Sequence, residues 1–158
     1  NYIEDENWIN IILIAIKNHN KYKIEELNDK ELLHAKIIRD ADKTDIYEVV
    51  MRYIDGEKSD DFLFDKQNIN KIIATNQVME EFQNHKLVSK LHRKNDVDLI
   101  IGYISYIYDY NFKESLEIVK KRDYINRLIN ILEGCTKTKG QTDLIRKIAL
   151  EYLNKGEE

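Results

Sequence analysis

Three carboxylates fall within the stretch Ile37-Ile38-Arg39-Asp40-Ala41-Asp42-Lys43-Thr44-Asp45-Ile46-Tyr47, on what the residue spacing predicts is one continuous helix. Helical geometry sends them in different directions. Asp40 stands between Lys36 and Thr44 on a polar row expected to face water, whereas Asp42 stands between Ile38 and Ile46 and is expected to project along an apolar row. Asp45, between Ala41 and Val49, is the near neighbour of Asp42 on that inward side. A carboxylate in such surroundings has to be ion-paired, hydrogen-bonded or metal-bound, because an isolated buried charge neutralises instead. Two chemistries stay open. Either Arg39, Lys43 or helix-end donors pair with the acids, or Asp42 ligates a divalent metal together with His19. Imidazole plus carboxylate is a common hydrolytic ligand mixture.

The elements that must position these residues read as a series of helices. Ile9, Ile12, Leu13 and Ile16 recur at helical spacing behind a capping Asp5, and His19 continues that core-facing stripe where the chain turns polar. A second helix is expected from Asn28 or Asp29 to about Asp55 or Gly56, with Leu33, Ile37 and Ala41 as an apolar row extended by Ile46, Val49, Val50 and Tyr53. The span from Ser59 to Ile73 suggests a short helix or turn around Phe62, Leu63 and Phe64, followed by a short helix from Asn76 to Phe82. From Asp96 to Tyr108 the pattern is helical and apolar almost all round, which marks the central buried helix. Two amphipathic helices follow. One carries Ile125, Leu128, Ile129 and Leu132 after a cap expected at Asp123, the other Ile145, Ile148, Ala149 and Tyr152 after Thr142.

Composition agrees with an all-α fold. The 158 residues include no Pro and only 5 Gly, which removes most helix breakers and most of the turn chemistry of a sheet-rich fold. At roughly 150 residues per domain this is a single helical unit, 1–158, without an internal repeat or a linker that would divide it. The balance of 25 Lys and Arg against 29 Asp and Glu excludes a nucleic-acid-scale basic charge, and 42% hydrophobic residues exclude disorder. The lone Cys135 cannot form an internal disulfide and fits a reducing compartment, so a cytoplasmic location is expected. The most apolar stretches, Ile11 to Ile16 and Leu99 to Tyr108, are shorter than the ~20 residues needed to span a bilayer. Glu4, Asp5 and Glu6 before the first of them do not suit a signal peptide.

The stretches Ala15-Ile16-Lys17-Asn18-His19-Asn20 and Leu33-His34-Ala35-Lys36-Ile37-Ile38-Arg39-Asp40-Ala41-Asp42-Lys43 resemble the later part of an HD-domain protein, the helical superfamily of metal-dependent phosphohydrolases. The region from Asp96-Val97-Asp98-Leu99 to Asp109-Tyr110-Asn111-Phe112 resembles the C-terminal helices of bacterial proteins of this type, so the similarity covers most of the chain. The resemblance implies a compact multi-helix bundle in which residues 1–56 form the second half of the HD core and residues 57–158 a helical extension packed on it.

In that superfamily a first His, a His-Asp pair and a final Asp converge on a divalent metal that activates water against a phosphate ester. Asp42 matches the final Asp. His19 matches a downstream His that binds a second metal or the substrate phosphate, and Lys43, with Arg39, is placed for phosphate contact. The His-Asp pair is absent, since His19, His34, His85 and His92 precede Asn20, Ala35, Lys86 and Arg93. The missing ligands are expected before Asn1, so the chain is read as part of such an enzyme, incomplete as a catalyst on its own. The implied cofactor is Mn, Mg, Ni, Zn or Fe, and the implied substrate a small phosphorylated compound such as a nucleotide, with a homo-oligomer as a further expectation. The alternative is a noncatalytic helical module that binds a protein or a nucleotide.

The remaining chemistry-bearing residues have plainer readings. His34 lies about 12 Å along the helix axis from Asp42, too far to share one metal, and is expected to be packed or hydrogen-bonded. The basic cluster Lys86, Lys90, His92, Arg93 and Lys94 and the run Lys120-Lys121-Arg122 are expected to be solvated helix faces rather than a nucleic-acid site. Tyr103, Tyr106, Tyr108 and Tyr110 are expected to pack around the apolar helix, and no base accompanies Cys135 to make it a nucleophile.

Overall fold

A computed structural model describes residues 5–57, 64–65, 69, 73–134 and 139–155, and all the regular structure among them is helical. The helices are α1 (Glu6–Asn18), α2 (Asp29–Ile54), α3 (Asn76–Gln83), α4 (Asp96–Ile104), α5 (Lys113–Lys121), α6 (Tyr124–Glu133) and α7 (Lys139–Asn154), with 3₁₀ turns at Lys90–His92 and Ser105–Asp109. None of them is long and apolar enough to cross a membrane. The element expected around Phe62 and Leu63, and Cys135, lie outside the described residues. Two units make up the chain, Asn1–Ile46 and Tyr47–Glu158. Their division falls inside α2.

In the first unit α1 begins as expected, its first turn capped by the Asp5 carboxylate, which accepts from Asn7 N at 2.8 Å. Trp8 near its start meets the edge of His34 at 5.3 Å, with Lys30 Nζ 4.0 Å above the indole, while Ile16 and His19 at its end face Ile38, Ala41, Asp42 and Asp45. Early residues thus meet early α2 and late residues meet later α2, so α1 and α2 run parallel. The segment 19–28 must therefore travel back along the pair, and its backbone needs partners that a helix would have supplied internally.

Arg39 supplies them. Its guanidinium donates to the carbonyls of His19 at 3.2 Å, Lys21 and Tyr22 at 3.0 Å, and Asn18 Oδ1 accepts from Glu25 N at 3.1 Å. The expected orientation of both helices is overturned by this arrangement. The buried residues of α1 are Ile11, Ala15 and Asn18, and those of the first part of α2 are Ala35, Arg39, Asp40 and Lys43. Ile9, Leu13, Ile16, Leu33 and Ile37, expected to form the core stripes, are exposed, and Asp40, expected in water, is 3% exposed. A returning backbone left without donors would cost about 1–3 kcal/mol per carbonyl, which is comparable with what burial of another aliphatic stripe on that side would contribute.

The second unit is built as the sequence suggests around α4, where Val97, Ile100, Ile101 and Ile104 are at most 1% exposed. Helix α6 packs against both α4 and α7, contributing Ile125, Leu128, Ile129 and Leu132 to the same core. Two details differ from expectation. Asp123 does not cap α6 but sits in the left-handed region at φ 56°, its carboxylate accepting from Asn126 Nδ2 at 2.6 Å. Helix α5, which carries the Lys120-Lys121 run, was not foreseen as a separate element. His85 and Tyr108 pack with Phe82 and Tyr152, and Asp98, fully buried, accepts from Thr75 N at 2.8 Å and Lys94 N at 2.9 Å. The tyrosines expected around the apolar helix are there as packing groups.

Gly102 on α4 is required by its neighbour. A Cβ at this position would lie 2.4 Å from Arg93 Cζ, in a guanidinium that faces the Tyr106 ring and donates to the Val88 carbonyl at 2.9 Å. Gly102→Ala is therefore expected to expel the Arg93 side chain and to lower unfolding stability by about 1–3 kcal/mol, read from urea denaturation midpoints at constant slope. Gly102→Ala combined with Arg93→Ala should recover part of that loss, because the added methyl then has room.

Candidate functional site

His19 and Asp42, the two metal ligands expected from the sequence, line one open depression of about 400 Å³ in the first unit, together with Ile16, Ile38, Ala41 and Asp45. They arrive from the end of α1 and the middle of α2, which only the parallel arrangement brings side by side. His19 Nδ1 is hydrogen-bonded to the Ile16 carbonyl. A carbonyl only accepts, so Nδ1 carries the proton in the neutral ring and Nε2 keeps its lone pair. In this arrangement Nε2 is the ring nitrogen left with a lone pair for a further partner.

The lining is part aliphatic and part acidic. Ile16, Ile38 and Ala41 supply the apolar surface, and among the described residues neither the Asp42 nor the Asp45 carboxylate is held by a hydrogen bond or an ion pair. The inward direction expected for Asp42 is seen only in part. Asp42 is half-buried and its neighbour Asp45 is exposed. His19, Asp42 and Asp45 share the depression, yet among the described residues no three His, Cys, Asp or Glu side chains come together as a group able to hold a metal ion. The depression thus presents one imidazole and two carboxylates, fewer protein ligands than the four to six positions of a divalent cation's shell.

Arg39 and Lys43, expected at the substrate phosphate, are placed elsewhere. Arg39 is 2% exposed with its guanidinium committed to the returning backbone, and Lys43 is 5% exposed on the same buried face. Neither lines the depression, whose walls carry carboxylates and no cation. The reason is the helix rotation described above: positions 39 and 43 share one row, and that row faces segment 19–28.

His34, as expected, is a packed residue, edge-on to Trp8. His92 is bound through Nδ1 to Glu81 at 2.8 Å and through Nε2 to Gln77 at 3.0 Å, and Arg122 pairs with Glu48. The basic clusters are thus partly tied into the second unit. What sequence reasoning missed in the site is its aliphatic lining. Ile16 and Ala41 were assigned to core stripes, and the only available signal was that both precede a site acid or His19 by a single helical step. Comparison with family models, with curated proteins and with solved structures finds no match for this chain.

Proposed function

We propose that this chain is the later, ligand-bearing part of an HD-type metal-dependent phosphohydrolase acting on a nucleotide or another phosphate ester. The observation that carries the reading is that His19 and Asp42, from two different helices, line one solvent-open depression, with a lone pair left on His19 Nε2 for a further partner.

In this reading His19 through Nε2 and Asp42 through its carboxylate hold the cation. A divalent metal bound here would polarise the phosphoryl oxygen and lower the pKa of a coordinated water. Asp45, exposed beside it, would accept a proton from water, and Ile16, Ile38 and Ala41 would supply the apolar part of the lining. Two protein ligands are too few for tight binding, so hydrolysis requires the His and His-Asp ligands from another polypeptide segment. A second reading, a noncatalytic module binding a protein or a nucleotide, is favoured by the lack of a three-ligand group among the described residues.

Titration with Mn²⁺, followed by calorimetry, separates them. One weak site per chain is expected, its affinity falling about tenfold or more in His19→Ala and in Asp42→Ala. No binding of Mn²⁺, Mg²⁺, Ni²⁺ or Zn²⁺, or binding that ignores both substitutions, removes the metal reading and leaves the module.

A further inference from the structure

The face of α1 and α2 opposite segment 19–28 is bare. Ile9, Leu13 and Ile16 on α1 are 37%, 57% and 49% exposed, and Leu33 and Ile37 on α2 are each 46% exposed, with Trp8 at 39% beside them. Beyond residue 49 the exposed large apolar residues are only Ile73, Leu91 and Ile118 among the described ones, and they are scattered in sequence. The two helices run parallel, so the row Ile9, Leu13, Ile16 lies alongside the row Leu33, Ile37, Ala41. The result is two matched aliphatic ridges with no charged residue in either row.

We propose that this face is the contact surface between two copies of the chain. A face with two parallel ridges and a groove between them can meet its own copy across a two-fold axis lying in the plane of the contact, the ridges of one copy packing into the grooves beside the ridges of the other. The extent fits as well. Six side chains at these exposures present on the order of 400 Å² of apolar surface per copy, at the level where patches on monomers become functional. Two copies would bury about twice that, and with apolar atoms making up about 60% of an interface the total reaches about 1,300 Å². A specific interface of standard size begins at about 1,200 Å². A lone helix laid between the ridges would cover less.

The test is the mass in solution by light scattering after gel filtration, with a reductant present so that Cys135 cannot cross-link copies and with a chelator present so that metal plays no part. At roughly 100 µM chain, twice 18.9 kDa is expected. Leu13→Glu combined with Ile37→Glu should return the single mass with unchanged helical circular dichroism, weakening association at least 100-fold. Leu91→Glu, at a residue that is 80% exposed in the second unit, should keep the doubled mass. A single mass for the unaltered chain at that concentration overturns the proposal, as does a doubled mass that survives the paired substitution. Because chelator is present throughout, neither result depends on whether the His19 and Asp42 site binds metal.

Discussion

Arg39→Met is expected to destabilise the first unit by about 3–5 kcal/mol and to release segment 19–28 from the helix pair. The guanidinium is 2% exposed and gives hydrogen bonds to three carbonyls of that segment, so methionine fills much of the volume but leaves all three acceptors without it. Hydrogen bonds from a charged donor contribute about 1.5–3 kcal/mol each, and their loss is only partly offset by removing a charge that was costly to bury. Arg39→Lys should recover little. A single ammonium on a flexible stem cannot reproduce the planar fork that spans the carbonyls of His19 and Tyr22. Hydrogen exchange locates the effect: amides of residues 19–28 should lose protection while those of α4 and α6 keep theirs. Uniform loss of protection, or a midpoint shift below about 1 kcal/mol, would show that the segment is held by something other than Arg39.

The same substitution bears on the site. His19 is the first residue of the returning segment that Arg39 holds, and its ring is aimed by the Ile16 carbonyl one turn earlier. Loosening the segment should therefore weaken cation binding although Arg39 touches no lining residue of the depression. Arg39 is a positioning residue in this sense.

Much of the second unit was legible because its helices obey the rule that apolar stripes face inward. In α6, Ile125, Leu128, Ile129 and Leu132 are all buried, and α4, apolar all round, is central. The first unit breaks the rule for a reason that periodicity does not carry. Its connection runs back along the helices, and a backbone in that position demands donors, so Arg39 and Asn18 turn inward and the aliphatic rows turn out. Helical spacing correctly separated Asp40 from Asp42 but assigned the wrong one to water, because the direction of the core was inferred from aliphatic residues alone. His19 and Asp42 were identifiable from residue type and from the resemblance. Their meeting in one depression depends on parallel helices, which the length of the segment from 19 to 28 permits and nothing in its composition dictates.

Stability is expected to fall steeply as pH rises above 10, with ionisation of the buried tyrosines Tyr47 and Tyr124 appearing together with unfolding rather than before it. Among the described tyrosines, Tyr47 is the most deeply placed, fully buried, stacked on Tyr124 at 5.1 Å, and donating from its hydroxyl to the Tyr103 carbonyl at 2.9 Å. Burial pushes its pKa well above 10, and the nearby Tyr110, Tyr106 and Tyr108 push the same way. Tyr124 is raised to about 12, first by burial and then by its hydrogen bond to the Glu48 carboxylate. In the unfolded chain both hydroxyls ionise near 10. Above that pH the unfolded state has lost protons that the folded state still holds, so the unfolded state gains stability with each further step. Each such tyrosine contributes its full effect below pH 10 and loses it as pH climbs towards the folded value, at about 1.4 kcal/mol per pH unit. For Tyr124 the window runs from pH 10 to about 12, and for Tyr47 it extends further. Tyr47→Phe tests this directly. It costs the hydrogen bond to Tyr103 at neutral pH but should visibly flatten the decline between pH 10 and 12. An unchanged slope in Tyr47→Phe, or native-state tyrosinate absorbance that is lost in Tyr47→Phe while the circular dichroism of the unaltered chain stays native, would show that alkali reaches the Tyr47 hydroxyl in the folded protein.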